Sequence, residues 1–305
     1  MKISSYNEWD TLREIVVGTA TNANWPVNDP VFRAEAETTL WKDSPLPSGP
    51  VPKWIIDEAN HDLEGLCDLL RQAGVIVHRP TDLDFVALDG MYNYCPRDRL
   101  LVAGDTIVDT NMHYSCRNME TESLQAVLYG NRVLKMPRES EFVLDAANVC
   151  RLNDTLLYLE SASGNRAAAV WLAANLPDWK IETCNFYAGV HIDSTVVPLR
   201  EGLVLLNAAR VNEQNCPNVF KSWDKIYVDE VVAQDFYQYP YASKWIAMNM
   251  LVVDPHTVIV DRHQTALIRK LEQWSFTVIP HELRHSRTLG GGFHCVTLDT
   301  WRNND

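Results

Sequence analysis

The chain reads as an α/β protein made of about five copies of one unit, strand–strand–helix–strand, closed into a ring within a single domain spanning residues 1–305. Three observations predict this. Short apolar runs of strand type come in pairs around a polar turn, as in "RLLVAGDTIVDT" (Arg99–Thr110), "VCRLNDTLLYLES" (Val149–Ser161) and "NMLVVDPHTVIVD" (Asn249–Asp261). A stretch with helical spacing follows several of these pairs, and then a further short strand. The spacing recurs at about 60 residues over a 305-residue chain. Closure into a ring removes exposed sheet edges; an ordinary α/β sandwich with accidental spacing is the alternative.

The elements follow in order. "REIVVG" (Arg13–Gly18) is the first strand, and its unit resumes with the helical "NHDLEGLCDLLRQAG" and the strand "VIVHRP". Between them, Asn22–Pro52 carries Pro26, Pro30, Pro45, Pro47, Pro50 and Pro52 with little periodicity. It is expected to be a long loop across one face, and loops of such length tend to be functional. The second and third strand pairs lead to "TESLQAVLYG" then "RVLKMP", and to "AAAVWLAANLP" then "WKIETC". "GLVLLNAARV" (Gly202–Val211) is a further strand. The last unit places Ala266, Leu267, Leu271 and Trp274 on one helical face of "QTALIRKLEQW", before the strand in "FTVIPHEL".

Composition narrows the function. The 46% hydrophobic content is enough for a full core, and the net charge of −13 disfavours nucleic acid and anionic membranes as partners. An acidic surface suits a cationic substrate, although many proteins are simply acidic. Seven cysteines and no CxxC pair fit free thiols in a reducing compartment. The N-terminus lacks the apolar core of a signal peptide, and no run approaches about 18 apolar residues. A cytoplasmic protein is expected. No GxGxxG after a strand, P-loop or HExxH occurs, which disfavours dinucleotide, nucleotide and zincin chemistry.

Four stretches could carry chemistry. "LGGGFHC" (Leu289–Cys295) puts three permissive glycines before a thiol, a candidate nucleophile if a histidine lies near, although a buried structural cysteine is the commoner case. If the segment is extended, His294 points away from Cys295 and His191 is the more useful imidazole. "GVHIDSTVVPL" (Gly189–Leu199) reads as a strand with His191, Asp193 and Thr195 on one face, which could be a site or merely a wetted surface. Asp145 in "EFVLDAANVC" is costly to bury unpaired, so a capping or turn role comes first. Arg97 and Asp98 in "NYCPRDRLLVAG" form either a surface ion pair or a device that aims Asp98 into a cleft.

Together these motifs resemble the amidinotransferases of the glycine amidinotransferase type, within the guanidino-group-modifying pentein superfamily. "SYNEWDTLREIVVG", "CPRDRLLVAGDTIVDT", "LDAANV", "HIDST", "SKWIAMNML" and "TLGGGFHCVT" carry the resemblance along nearly the whole chain. It implies a five-bladed αβ propeller and a catalytic set of Cys295, His191 and Asp145. It implies that Asp98 and Asp193 hold a guanidinium, and that Arg210 and Ser243 hold the α-carboxylate end of an amino-acid donor. The implied reaction moves the amidino group of L-arginine to an acceptor amine, glycine by default, through an amidino-cysteine, with L-ornithine released. It implies a homodimer, and no metal or organic cofactor. The chain is shorter than the creatine-pathway enzymes, chiefly between Met112 and Asp145, and Asn148 stands where those carry a second Asp. Both departures bear on the acceptor, for which lysine, another small amine or an aminocyclitol phosphate stay open. An arginine deiminase-type hydrolase and a catalytically silent binding module are the competing readings.

Overall fold

The computed structural model describes residues 1–38, 46–186, 189, 191–238 and 240–303. Among them lie five three-stranded sheets, and in each the central strand pairs antiparallel on one side and parallel on the other. This is the five-bladed αβ propeller. A tight hairpin forces the antiparallel pair, whereas the parallel third strand needs a crossover.

The hairpins turn where the sequence predicted. Gly104 and Asn153 adopt φ of 62° and 64°, and Ala103 pairs with Thr106 and Leu152 with Thr155 across the turns. Both residues tolerate the left-handed region that such turns require. Central strands such as Thr155–Leu159 and Leu203–Asn207 are buried along their whole length and mostly apolar, because both faces are covered.

The crossovers are the helices Lys53–Gln72, Arg166–Asn175 and Thr265–Gln273 in the first, third and fifth blades. Leu267 and Leu271 of the last are buried and Trp274 is half-buried, as the helical spacing required, whereas Ala266 is exposed. The second crossover is mostly a 3₁₀ stretch, Ser115–Leu124, followed by the short helix Gln125–Leu128. The fourth holds the 3₁₀ turn Asn218–Phe220. The first blade is assembled from both chain ends: Thr11–Val17 lies between Thr297–Asn303 and Ile76–His78.

The blades are pinned by a buried ionic network. Arg151 of the third blade reaches Glu8 at 2.6 Å and Asp299 at 2.9 Å, and Asp299 also binds Arg97 and Arg302. Buried guanidiniums persist only when paired in this way.

Asn22–Pro52 is not simply a loop. Asn24–Trp25 pairs with Gly49–Pro50, and Pro30–Thr38 is a helix with Asp29 accepting the N–H groups of Val31 and Phe32. Proline at the first helical turn starts a helix without loss, so the prolines mark its boundary. Residues 39–45 of this segment lie outside the described residues.

Candidate functional site

The glycine run is built for close approach. Gly290 ends the short helix Ser286–Leu289 with φ of 76°, a left-handed C-cap, and a Cβ there would lie 2.2 Å from the Tyr241 ring. Gly292 presses on Asn249: a Cβ would sit 2.7 Å from Asn249 Cβ and 2.8 Å from its carbonyl oxygen. Asn249 in turn holds the following residues. Its carbonyl accepts the Phe293 N–H, and its Oδ1 accepts the N–H groups of His294 and Cys295. Its Nδ2 donates to Cys295 Sγ at 3.1 Å. Gly292→Ala should therefore push Asn249 off the thiol and cost about 1–3 kcal/mol, read as a lower melting temperature together with slower alkylation of Cys295.

This turn corrects one expectation. Phe293–Val296 is a turn rather than an extended segment, so His294 does not point away. Its Nδ1 lies 2.9 Å from Asp193 Oδ2, the oxygen that receives the Cys295 thiol at 3.2 Å.

His191 and Asp193 are also placed differently from the sequence reading. The strand begins only at Val196, while Ile192–Ser194 forms a 3₁₀ turn closed by the Thr195 N–H on the Ile192 carbonyl. Val190 lies outside the described residues. His191 Nε2 meets Asp145 Oδ2 at 3.0 Å, and its Nδ1 lies 3.6 Å from Asp98 Oδ1. Asp145 occupies the N-cap position of the turn Ala146–Asn148 without capping it. Its other oxygen accepts the His113 N–H at 2.8 Å.

Arg97 and Asp98 do not pair with each other. Arg97 serves the His294 and Thr297 carbonyls and Asp299, while Asp98 Oδ2 binds Arg117, itself paired with Glu120. Asp98 is buried, and its Oδ1 has no hydrogen-bond partner among the described residues. One ligand atom each from Asp98, His191 and Cys295 lies within 4.8 Å of the others. Residues distant in sequence thus meet at one point.

The remaining candidates stand around this cluster. Arg210 donates to Thr195 Oγ1 at 2.7 Å and Ser194 Oγ at 3.2 Å, next to Asp193. Ser243 opens the 3₁₀ turn Lys244–Met248 that leads into Asn249. Asn148 is turned to Ser163, at 2.7 Å. The segments Asn22–Pro52 and Asn111–Glu122 meet beside Asp145, where Glu35 binds His113 at 2.5 Å and the Tyr114 hydroxyl at 2.8 Å. Asn249, Arg117, Glu35 and His113 were not singled out in the sequence. Only Asn249 left a signal, a lone amide inside the apolar run "WIAMNMLVV".

Electrostatics follow from crowding carboxylates around one imidazole. Burial pushes His191 down, but the Asp98 charge, the Asp145 hydrogen bond and charge and the Asp193 charge outweigh it, raising it to about 9. Burial and then the Asp193 and Asp98 charges hold the Cys295 thiol well above its ordinary value. Burial raises Asp98 against the pull of His191 and Arg117. Asp145 stays below its usual value despite burial, chiefly through the His191 hydrogen bond and charge. The site thus holds a neutral thiol, an imidazolium and a carboxylate oxygen awaiting a donor.

No family model matches the chain. Known proteins do. Inosamine-phosphate amidinotransferase 1 of Streptomyces griseus is 42% identical over 336 aligned residues, spanning 98% of this chain and 97% of that one. L-arginine:L-lysine amidinotransferase of Pseudomonas savastanoi pv. phaseolicola is 29% identical over 98% of this chain and 94% of its own. The solved structure of an inosamine-phosphate amidinotransferase from Streptomyces griseus superposes with a TM-score of 0.93 at 40% identity, covering 99% of this chain and 97% of that one.

Proposed function

The chain belongs to the amidinotransferase family, and on that premise we propose that it moves the amidino group of L-arginine to an acceptor amine through a covalent amidino-cysteine at Cys295, releasing L-ornithine. The observation that carries this reading is the buried Asp98 Oδ1, which has no hydrogen-bond donor among the described residues, beside His191 and Cys295. A carboxylate oxygen left unpaired in a buried site costs about 1–3 kcal/mol, and a guanidinium N–H fork supplies the missing donor.

In this reading Asp98 and Asp193 grip the guanidinium and fix its central carbon over Cys295 Sγ. The arriving cation offsets the two carboxylates that hold the thiol neutral, so binding itself favours the thiolate. The thiolate adds to the carbon, and His191 protonates the departing δ-nitrogen, which leaves as the amine of ornithine. The neutral imidazole then takes a proton from the acceptor amine as that amine attacks the amidino carbon and Sγ departs. Asp145 orients His191 and supports its charged form. Arg210 and Ser243 hold the α-carboxylate end of arginine.

For the acceptor we favour an aminocyclitol phosphate of the inosamine-phosphate kind over the glycine that the resemblance offers by default. Identity supports this order, at 42% and 38% with inosamine-phosphate amidinotransferases against 29% with a glycine enzyme. Glu35, His113 and Tyr114 stand on the Asp145 side, where an acceptor would approach. The same proposal takes the protein as a cytoplasmic homodimer. No helix among the described residues is long and apolar enough to cross a membrane, and sedimentation showing only monomer would remove the dimer from the proposal.

Intact-mass measurement after incubation with arginine should show one added amidino group on Cys295. Inosamine phosphate, glycine and lysine should then be offered in turn, with ornithine release read. Citrulline and ammonia without any acceptor would instead mark a hydrolase. Absence of both adduct and turnover would mark a silent binding module.

A further inference from the structure

His294 neighbours the nucleophile in sequence and shares a partner with it in space. Its Nδ1 lies 2.9 Å from Asp193 Oδ2, which also receives the Cys295 thiol, and its Nε2 lies 3.2 Å from Glu8 Oε2. Glu8 is fixed from behind by Arg151 at 2.6 and 3.0 Å, and Arg151 by Asp299 at 2.9 Å. All these partners are buried. A continuous polar chain therefore runs from Cys295 through Asp193, His294 and Glu8 into the ionic network that pins the blades.

Both ring nitrogens of His294 face carboxylates. We propose that His294 is a positioning residue: bridging Glu8 and Asp193, it holds Asp193 Oδ2 on the Cys295 thiol, at the place where the substrate cation arrives. The guanidinium part of this statement rests on the function proposed above, whereas the effect on the thiol does not.

The physics is a balance at Asp193. Burial pushes this carboxyl up, and the His294 hydrogen bond and charge, with help from His191, bring it below its ordinary value. The titratable groups facing Asp193 are His294, His191 and Cys295; those facing Glu8 are His294, Arg151 and Arg97. Without the His294 contact, burial pushes the Asp193 carboxyl up, and its Oδ2 loses the partner that fixes its direction.

His294→Leu removes both contacts, and His294→Asn keeps a neutral donor on the Asp193 side. In His294→Leu the KM for arginine should rise about tenfold or more at constant pH, because the Asp193 oxygen that grips the guanidinium is no longer held. kcat at saturating arginine should change less, and His294→Asn should fall between the two. Alkylation of Cys295 by iodoacetamide, followed by mass without any substrate, should be faster by about threefold or more in His294→Leu, because Asp193 Oδ2 no longer holds the thiol proton, and His294→Asn should reverse part of this. A folded variant with KM and alkylation rate both unchanged overturns the proposal. A changed alkylation rate in a protein that never turns over arginine leaves the His294 role standing and overturns the donor assignment. If the variants do not fold, nitrogen-15 NMR of the wild-type histidines decides. Both ring nitrogens of His294 engaged in hydrogen bonds are expected, and a ring with a free nitrogen overturns the proposal.

Discussion

Replacing Cys295 with alanine should lower amidino transfer by a factor on the order of 10⁴ or more, with no mass adduct after incubation with arginine. The size follows from chemistry. The guanidinium carbon is resonance-stabilised, and without a sulfur nucleophile the remaining carboxylates offer positioning only. The same variant should still bind arginine. Asp98 Oδ1 keeps its need for a donor, and Asp98, Asp145 and Asp193 stay crowded around His191. Arginine should therefore raise the melting temperature of Cys295→Ala, because a ligand that binds only the folded state stabilises it by mass action. The truncation is small, so its own stability cost should stay near about 1 kcal/mol. Wild-type rates in Cys295→Ala would remove the covalent intermediate from the mechanism.

His191→Asn should reduce turnover by about 10²–10⁴-fold, and the pH profile should identify the cause. His191 is raised to about 9, because Asp98, Asp145 and Asp193 outweigh burial. Below that value the ring is protonated and can hand a proton to the departing amine. Adduct formation from arginine in the wild type should therefore persist through neutrality and decline as pH rises through about 9. This alkaline limb should be missing from His191→Asn. Alkylation of Cys295 by a neutral reagent should rise over the same range, since it needs only the thiolate, whose value lies above the ordinary one. Stability should move with the same group. The folded value exceeds the unfolded one of 6.5, so the imidazolium's contribution is fully present below about 6.5 and is lost as pH rises through about 9. Melting temperatures across that window should fall in the wild type and stay flatter in His191→Asn.

Parts of the site were legible because they depend on local chemistry. Three successive glycines before Cys295 announced a backbone under close approach, and Gly290 and Gly292 meet Tyr241 and Asn249 as that requires. Asp145, flagged as costly to bury unpaired, is buried and paired with His191, and Asp98 is buried rather than part of a surface ion pair with Arg97. The strand reading of Gly189–Leu199 failed because alternation cannot see that Thr195 closes a 3₁₀ turn on Ile192. The His294 reading failed for the same reason: extended geometry was assumed where Phe293–Val296 turns. Arg117 left no mark, since nothing in "SCRNMETESL" tells that its guanidinium is drawn inward to Asp98 and Glu120.

The amino-acid order by itself determined the repeated strand pairs, their turns at Gly104 and Asn153, the helical crossovers of the first, third and fifth blades and the placing of a thiol after glycines, because each depends on neighbours a few residues apart. Only the tertiary structure decided which of the many acids and histidines share one pocket. Cys295, His191, Asp145 and Asp98 come from different blades and meet within a few ångströms because the ring brings the chain segments entering those blades together. Their protonation states are a property of that crowding: burial strips the water, and the charges of Asp98, Asp145 and Asp193 supply the field.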